Sequence, residues 1–300
     1  MRIASPQGEW RFGPARGRIG LYLRRFPMAT SPHRSSPGLG LAMATAIAIA
    51  ATLVVNTLSN IFPPGGQNVG EIANTVLAGV LITPANYAFA IWGVIYLGLI
   101  AYALYQLHYQ RRREEHIQRV NQLLIVACLA QVVWIFLFTL QQFSWSILAM
   151  LAILLPLTGI YLTLDIGGEG RGLAADGRSP QRISPQRRWM AHIPFSLYLG
   201  WIAVATIVNV ASALYAADWG GWGLSPVVWT VIMIVVAALV AQVVILKRGD
   251  VTFTLVFVWA FVAIALRHGD IPAIQRTGLA AAVVLLGWLA IARLWLPRLR

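Results

Sequence analysis

The residues of this chain best suited to chemistry are rings, not acids or bases. The stretch Pro84–Tyr102 carries Tyr87, Phe89, Trp92, Tyr96 and Tyr102 on a segment long and apolar enough to cross a membrane. Trp92 and Tyr96 are four positions apart, so a helix puts them on one face. Gly93 and Gly98 give a neighbouring helix room for close approach. Trp134, Trp201, Trp259 and Trp288 also lie inside apolar blocks, where a belt of interfacial aromatics does not explain them. Inward-facing indoles can stack on a flat hydrophobic ligand. The uncharged polar residues at the same depth, Gln131, Thr206 and Asn209, can either orient such a ligand's polar edge or bond one helix to another. For Trp259 and Trp288, which have no polar companions, core packing is the simpler reading.

Other chemistries find little support. No Asp, Glu, Lys or Arg falls near the middle of an apolar block, and ion-coupled carriers usually need one there. There is no phosphate-binding glycine loop, nucleophile elbow or carboxylate pair. The five histidines, His33, His108, His116, His192 and His268, sit in tails, loops or block ends, with no metal-ligand spacing. His192 has the chemistry of an axial haem ligand, but an interfacial histidine is the simpler reading. The one cysteine, Cys128, excludes an internal disulfide and reads as a small core residue. Leu107–Arg111 fits a cholesterol-contact pattern that matches very often by chance.

The elements that must position these rings are membrane helices. The chain has 300 residues, 58% of them hydrophobic and only 11% charged, where a soluble domain carries roughly 25% charged. The apolar residues fall in blocks of about 20, which predict an all-α integral membrane protein with eight transmembrane helices. The spans are expected near 39–62, 85–108, 120–140, 145–165, 191–215, 227–246, 251–266 and 278–296. Residues 1–37 read as a disordered basic cytoplasmic tail, with Met28 as an alternative start. Gly167–Gln186 reads as a flexible loop. The Pro63–Thr83 loop holds no Lys or Arg, and Glu71 is its one charge.

The net charge of +13 does not point to nucleic acid, because the basic residues lie between apolar blocks. Eight spans with both termini inside place 21 Lys and Arg on the cytoplasmic side and only Arg267 and Arg276 outside, as the positive-inside rule requires. A bacterial inner (plasma) membrane is the default host. The Pro84 end of the aromatic stretch then lies at the outer face.

Three stretches together resemble the tryptophan-rich sensory protein family (TspO/MBR, the translocator proteins). Pro84…Tyr87-x-Phe89…Trp92-x3-Tyr96 looks like the family's second helix, P-x-x-W-x-F…W-x3-Y, with Tyr87 in place of Trp and one residue fewer before Trp92. Ala127–Phe138 looks like the third helix, L-N-x-x-W-x-x-x-F, with Gln131 in place of Asn. Tyr198–Asn209 is similar to the fifth, Y-L-A-W-x-A-x-A-T-x-L-N. The resemblance implies a TspO-like five-helix bundle over 38–217, followed by three additional transmembrane helices over 218–300. It implies a pocket between helices, closed by the first loop, that binds tetrapyrroles (porphyrin or haem as ligand, with no required cofactor) or sterols, often in a homodimer. The ligand-binding residues it implies are Tyr87, Phe89, Trp92, Tyr96, Gln131, Trp134, Trp201 and Asn209.

The expected partners are therefore the lipid bilayer and a small hydrophobic ligand. Four readings stay open: a sensor or translocator without turnover, a light-dependent porphyrin-degrading enzyme, a carrier for an apolar or weakly polar solute, and an assembly subunit. No catalytic residue is assigned, and an enzyme is the less favoured class because no general acid or base stands at depth.

Overall fold

Residues 38–168 and 183–295 are described in the computed structural model of the chain. The tail 1–37 and most of the 167–186 loop lie outside them. Among the described residues every regular element is helical, and all belong to one compact unit. In a bilayer a spanning segment must satisfy its backbone groups internally, and a helix does so within one segment.

The order is α1 (Leu39–Ile61), the short α2 (Val69–Asn74), α3 (Ile91–Leu107), α4 (Glu115–Thr139), α5 (Phe143–Thr163), a single turn α6 (Pro185–Arg187), α7 (Ile193–Ala216), α8 (Pro226–Arg248), α9 (Val251–Arg267) and α10 (Pro272–Trp295). A tight 3-10 turn, Asn86–Ala90, leads into α3, and a π turn, Arg188–His192, joins α6 to α7. The boundaries follow local chemistry. Lys247 and Arg248 close α8, Gly249 takes the left-handed conformation after them (φ 65°), and the Asp250 carboxylate accepts the Phe253 N–H at 3.1 Å to start α9.

Among the described residues seven helices, α3 taken together with the turn before it, have the length and hydropathy to cross a membrane. The eighth long one, α9, has 17 residues, about 25 Å at the helical rise. It nevertheless reaches from one end of the bundle to the other. At its start Asp250 accepts a hydrogen bond from Ser196, near the start of α7, at 2.6 Å. At its finish Arg267 bonds Asn74 at the end of α2. The long helices alternate in direction, so the basic turns after α3 and α8 share one end of the bundle. There Arg248 pairs with Asp165 after α5.

Packing is closest where small residues permit it. A Cβ on Gly98 would come within 2.9 Å of Pro194 Cβ, so α3 and α7 meet there without a side chain between them. Gly93, expected to serve the same purpose, faces open space. At the basic end α1, α3 and α4 are tied by a buried polar chain. The Tyr102 hydroxyl donates to Asn121 Oδ1 at 2.7 Å, Asn121 Nδ2 to Gln106 Oε1 at 2.9 Å, and Gln106 Nε2 to the Ala42 carbonyl at 2.9 Å.

Candidate functional site

At the opposite end a cavity of about 440 Å3 opens between α1, α3, α4, α5 and α7, beneath α2. Its aromatic wall comes from the start of α3 and the middle of α7. The Trp92 and Tyr96 rings lie 5.6 Å apart with planes 32° from parallel. Trp201 meets Trp92 edge-on at 6.5 Å and Phe89 edge-on at 6.2 Å. The facing wall is Trp134 on α4, tilted against Phe138 at 5.1 Å. The helical period puts each pair on one face, and the apolar helix carries the rings inward.

Polar groups converge on the same space. Asn209 Oδ1 accepts the Trp134 indole N–H at 2.9 Å, while Asn209 Nδ2 donates to Ser146 Oγ at 3.0 Å. That fixes both the amide and the Trp134 ring plane. Gln131 Oε1 faces the Tyr198 hydroxyl at 3.4 Å. Gln131 Nε2 and Trp201 Nε1 are buried without a hydrogen-bond partner. An indole N–H can only donate, and a buried orphan donor is costly. Both lie on residues that line the cavity, so an acceptor on a bound molecule would relieve them.

Of the eight residues singled out from the sequence, Phe89, Trp92, Tyr96, Gln131, Trp134, Trp201 and Asn209 line this one cavity. Tyr87 does not. Its ring is 40% exposed and stands edge-on against Trp259 of α9 at 5.0 Å. The 3-10 turn accounts for this, since it rotates Tyr87 off the face that Phe89 and Trp92 share. Trp259, read from the sequence as core, is 38% exposed and donates to the Ala88 carbonyl at 3.2 Å. None of the described histidines lines the cavity, and His192 sits at the far end of α7.

The lid was not legible as an element. Residues 63–83 read as loop, yet α2 forms inside them and covers the cavity with Asn68, Val69, Gly70, Glu71, Ala73 and Asn74. The signal was present as Asn68-x-x-Glu71, a capping box. Asn68 Oδ1 accepts the Glu71 N–H at 3.0 Å, and Glu71 Oε2 accepts the Asn68 N–H at 2.8 Å. Asn56 and Asn60 at the end of α1, one turn apart, also line the mouth.

What holds the lid down comes from α9. The Arg267 guanidinium donates to Asn74 Oδ1 at 2.8 Å, the Ala73 carbonyl at 3.0 Å and the Pro84 carbonyl at 3.3 Å. The Ala85 N–H donates to the Ala263 carbonyl at 3.1 Å. The end of α2 and the chain at Pro84–Ala85 are thus fastened to a helix that lines no part of the cavity.

Residues 42–291 match the family described as TSPO-like protein. The chain belongs to this family. The matched span takes in α8, α9 and α10 as well as the three motif-bearing helices. No curated protein and no solved structure matches the chain. A TSPO-like protein with a rigid ring-lined cavity and an anchored lid can bind and orient a flat molecule. Among the described residues no group of three or more His, Cys, Asp or Glu is placed to hold a metal ion.

His268, just past Arg267, is buried beside the Thr83 backbone. Burial, and then the Arg267 charge, hold its imidazole below the ordinary histidine range. The neutral form therefore contributes stability that is full above the unfolded value of 6.5 and is lost as pH falls through the lowered folded value. Acidification below pH 6.5 is expected to lower the amide protection factors (exchange corrected for the intrinsic rate at each pH) across Thr83–Ala90 in wild type but not in His268→Gln.

Proposed function

We propose that this TSPO-like protein is a membrane-embedded sensor or translocator that takes up a flat hydrophobic ligand, with tetrapyrroles the leading class. The observation that carries the reading is the cavity itself. Five rings and two amides, from α3 and the turn before it, α4 and α7, converge there, and two of their buried donors, Trp201 Nε1 and Gln131 Nε2, lack partners. Such a lining serves apolar faces by stacking and an acceptor atom by hydrogen bonding. On this reading Phe89, Trp92, Tyr96, Trp134 and Trp201 are contact residues, and Gln131 and Asn209 set orientation. Tyr87, packed against Trp259 outside the cavity, is not among the contact residues.

The alternating helices and the basic turns at one end support eight crossings with both termini in the cytoplasm, and the cavity opening outward. A bacterial plasma membrane and a homodimer complete the proposal. A five-helix bundle over 38–217 then holds the ligand, and 218–300 supports it through α9.

The test is a protoporphyrin titration of the purified protein, read by tryptophan fluorescence. Saturable quenching is expected. Trp92→Phe and Trp201→Phe should each weaken binding roughly threefold to tenfold, the range of aromatic pair energies. Saturable binding that neither variant changes overturns the assignment of this cavity.

A further inference from the structure

The charge of the ligand is written into the mouth of the cavity. Among the residues that line it, Glu71 is the one carboxylate, and no Lys, Arg or His joins it. The capping box fixes its carboxylate in the lid. Oε2 accepts the Asn68 N–H, leaving Oε1 without a protein partner among the described residues. Two of the neighbouring amides, at the end of α1, add acceptors, whereas Asn68 and Asn86 spend their side-chain oxygens on Glu71 and Asn74 and present donors. Asn56 Nδ2 and Asn60 Nδ2 turn back to carbonyls of their own helix, Thr52 and Asn56, both at 2.8 Å, which leaves their side-chain oxygens as acceptors. The nearest guanidinium, Arg267, lines no part of the cavity and makes three bonds to the lid segment. Glu71 and Asn60 are exposed, so a carboxylate at the ligand's outer edge would keep water there, but it would meet no cation among the lining residues and would face another carboxylate.

We infer that the cavity takes rings whose mouth-facing edge is uncharged or cationic, and discriminates against carboxylate-bearing ones. The inference rests on the cavity being the ligand site. It narrows that reading to the esterified, amidated or amine-bearing members of a flat-ring class.

The test keeps the ring constant and changes only its charge. Three probes are titrated into the full-length protein in neutral-lipid nanodiscs: protoporphyrin with its two free carboxylates, its dimethyl ester, and its bis-amide with a diamine, which carries two positive charges. Nanodiscs without protein correct for partition into lipid. The cationic probe is expected to bind at least about tenfold more tightly than the dicarboxylate, with the ester between them. Glu71→Gln should remove the cationic probe's advantage over the ester. Equal or tighter binding of the dicarboxylate overturns the inference, as does an order that Glu71→Gln leaves unchanged. If none of the three probes saturates, the cavity assignment itself falls, an outcome separate from a wrong order among binders.

Discussion

Replacing Arg267 with Gln is expected to loosen the lid while leaving the bundle folded. Three acceptors, Asn74 Oδ1 and the Ala73 and Pro84 carbonyls, share this one guanidinium. A neutral amide can satisfy at most one or two of them. Bonds to a charged donor contribute about 1.5 kcal/mol or more each when shielded, and less where water can replace them. With part of the latch open to solvent, a net loss of about 2 kcal/mol is reasonable, and 1.4 kcal/mol corresponds to a factor of ten. Amide exchange over Val69–Asn74 should therefore rise tenfold or more. Ligand association and dissociation should both accelerate, while Kd moves much less, because the latch touches the lid and not the ligand. Arg267→Lys keeps the charge but cannot fork across three acceptors, so it should fall between wild type and Gln. Unchanged exchange in Arg267→Gln would show that the lid is held by its own capping box alone.

The latch explains why the last helices matter to a site they do not line. The sequence placed the motif-bearing residues in the first five spans and gave no role to the remainder. In the folded chain α9 supplies Arg267, Trp259 and the Ala263 carbonyl to the segment 73–88. These are contacts across some 180 positions, and no local pattern announces them. Arg267 was visible only as one of two basic residues on the outer side, where the positive-inside rule leaves it unexplained.

What was legible depended on how local its cause was. The spans could be read because hydrocarbon forces continuous apolar helices of a fixed length. The span expected at 251–266 is Val251–Arg267, and that at 227–246 is Pro226–Arg248. The start expected at 278 is Pro272, because the polar residues Gln275, Arg276 and Thr277 sit in the first turns of α10 and hide the helix from a hydropathy reading. The ring wall was legible because Trp92 and Tyr96 repeat at helical period. Tyr87 was not, since a 3-10 turn of three residues per turn changes which face a side chain takes. The acceptors at the mouth were also missed. An Asn at the end of a span looks like any interfacial amide until the lid is seen to cover it.

Two asparagines offer the clearest separation of fold from site. Asn121 and Asn209 are both buried in α4 and α7, and each holds two polar side chains. Asn121→Ala orphans the Tyr102 hydroxyl and Gln106 Oε1 at the basic end. Asn209→Ala orphans the Trp134 indole N–H at the cavity, while Ser146 keeps its bond to the Phe143 carbonyl. An unsatisfied buried group costs about 1–3 kcal/mol, and helix-to-helix bonds in membranes average nearer 0.6 kcal/mol because the unfolded chain finds other partners. Each substitution should therefore lower stability by about 2 kcal/mol in a denaturant titration from mixed micelles. The ligand separates them. Asn209→Ala releases the Trp134 ring plane and should weaken porphyrin-type binding roughly threefold to tenfold, whereas Asn121→Ala should leave affinity within about twofold. Equal losses of affinity from both variants would mean that the ligand reads global stability, and the cavity walls would then carry no binding specificity of their own.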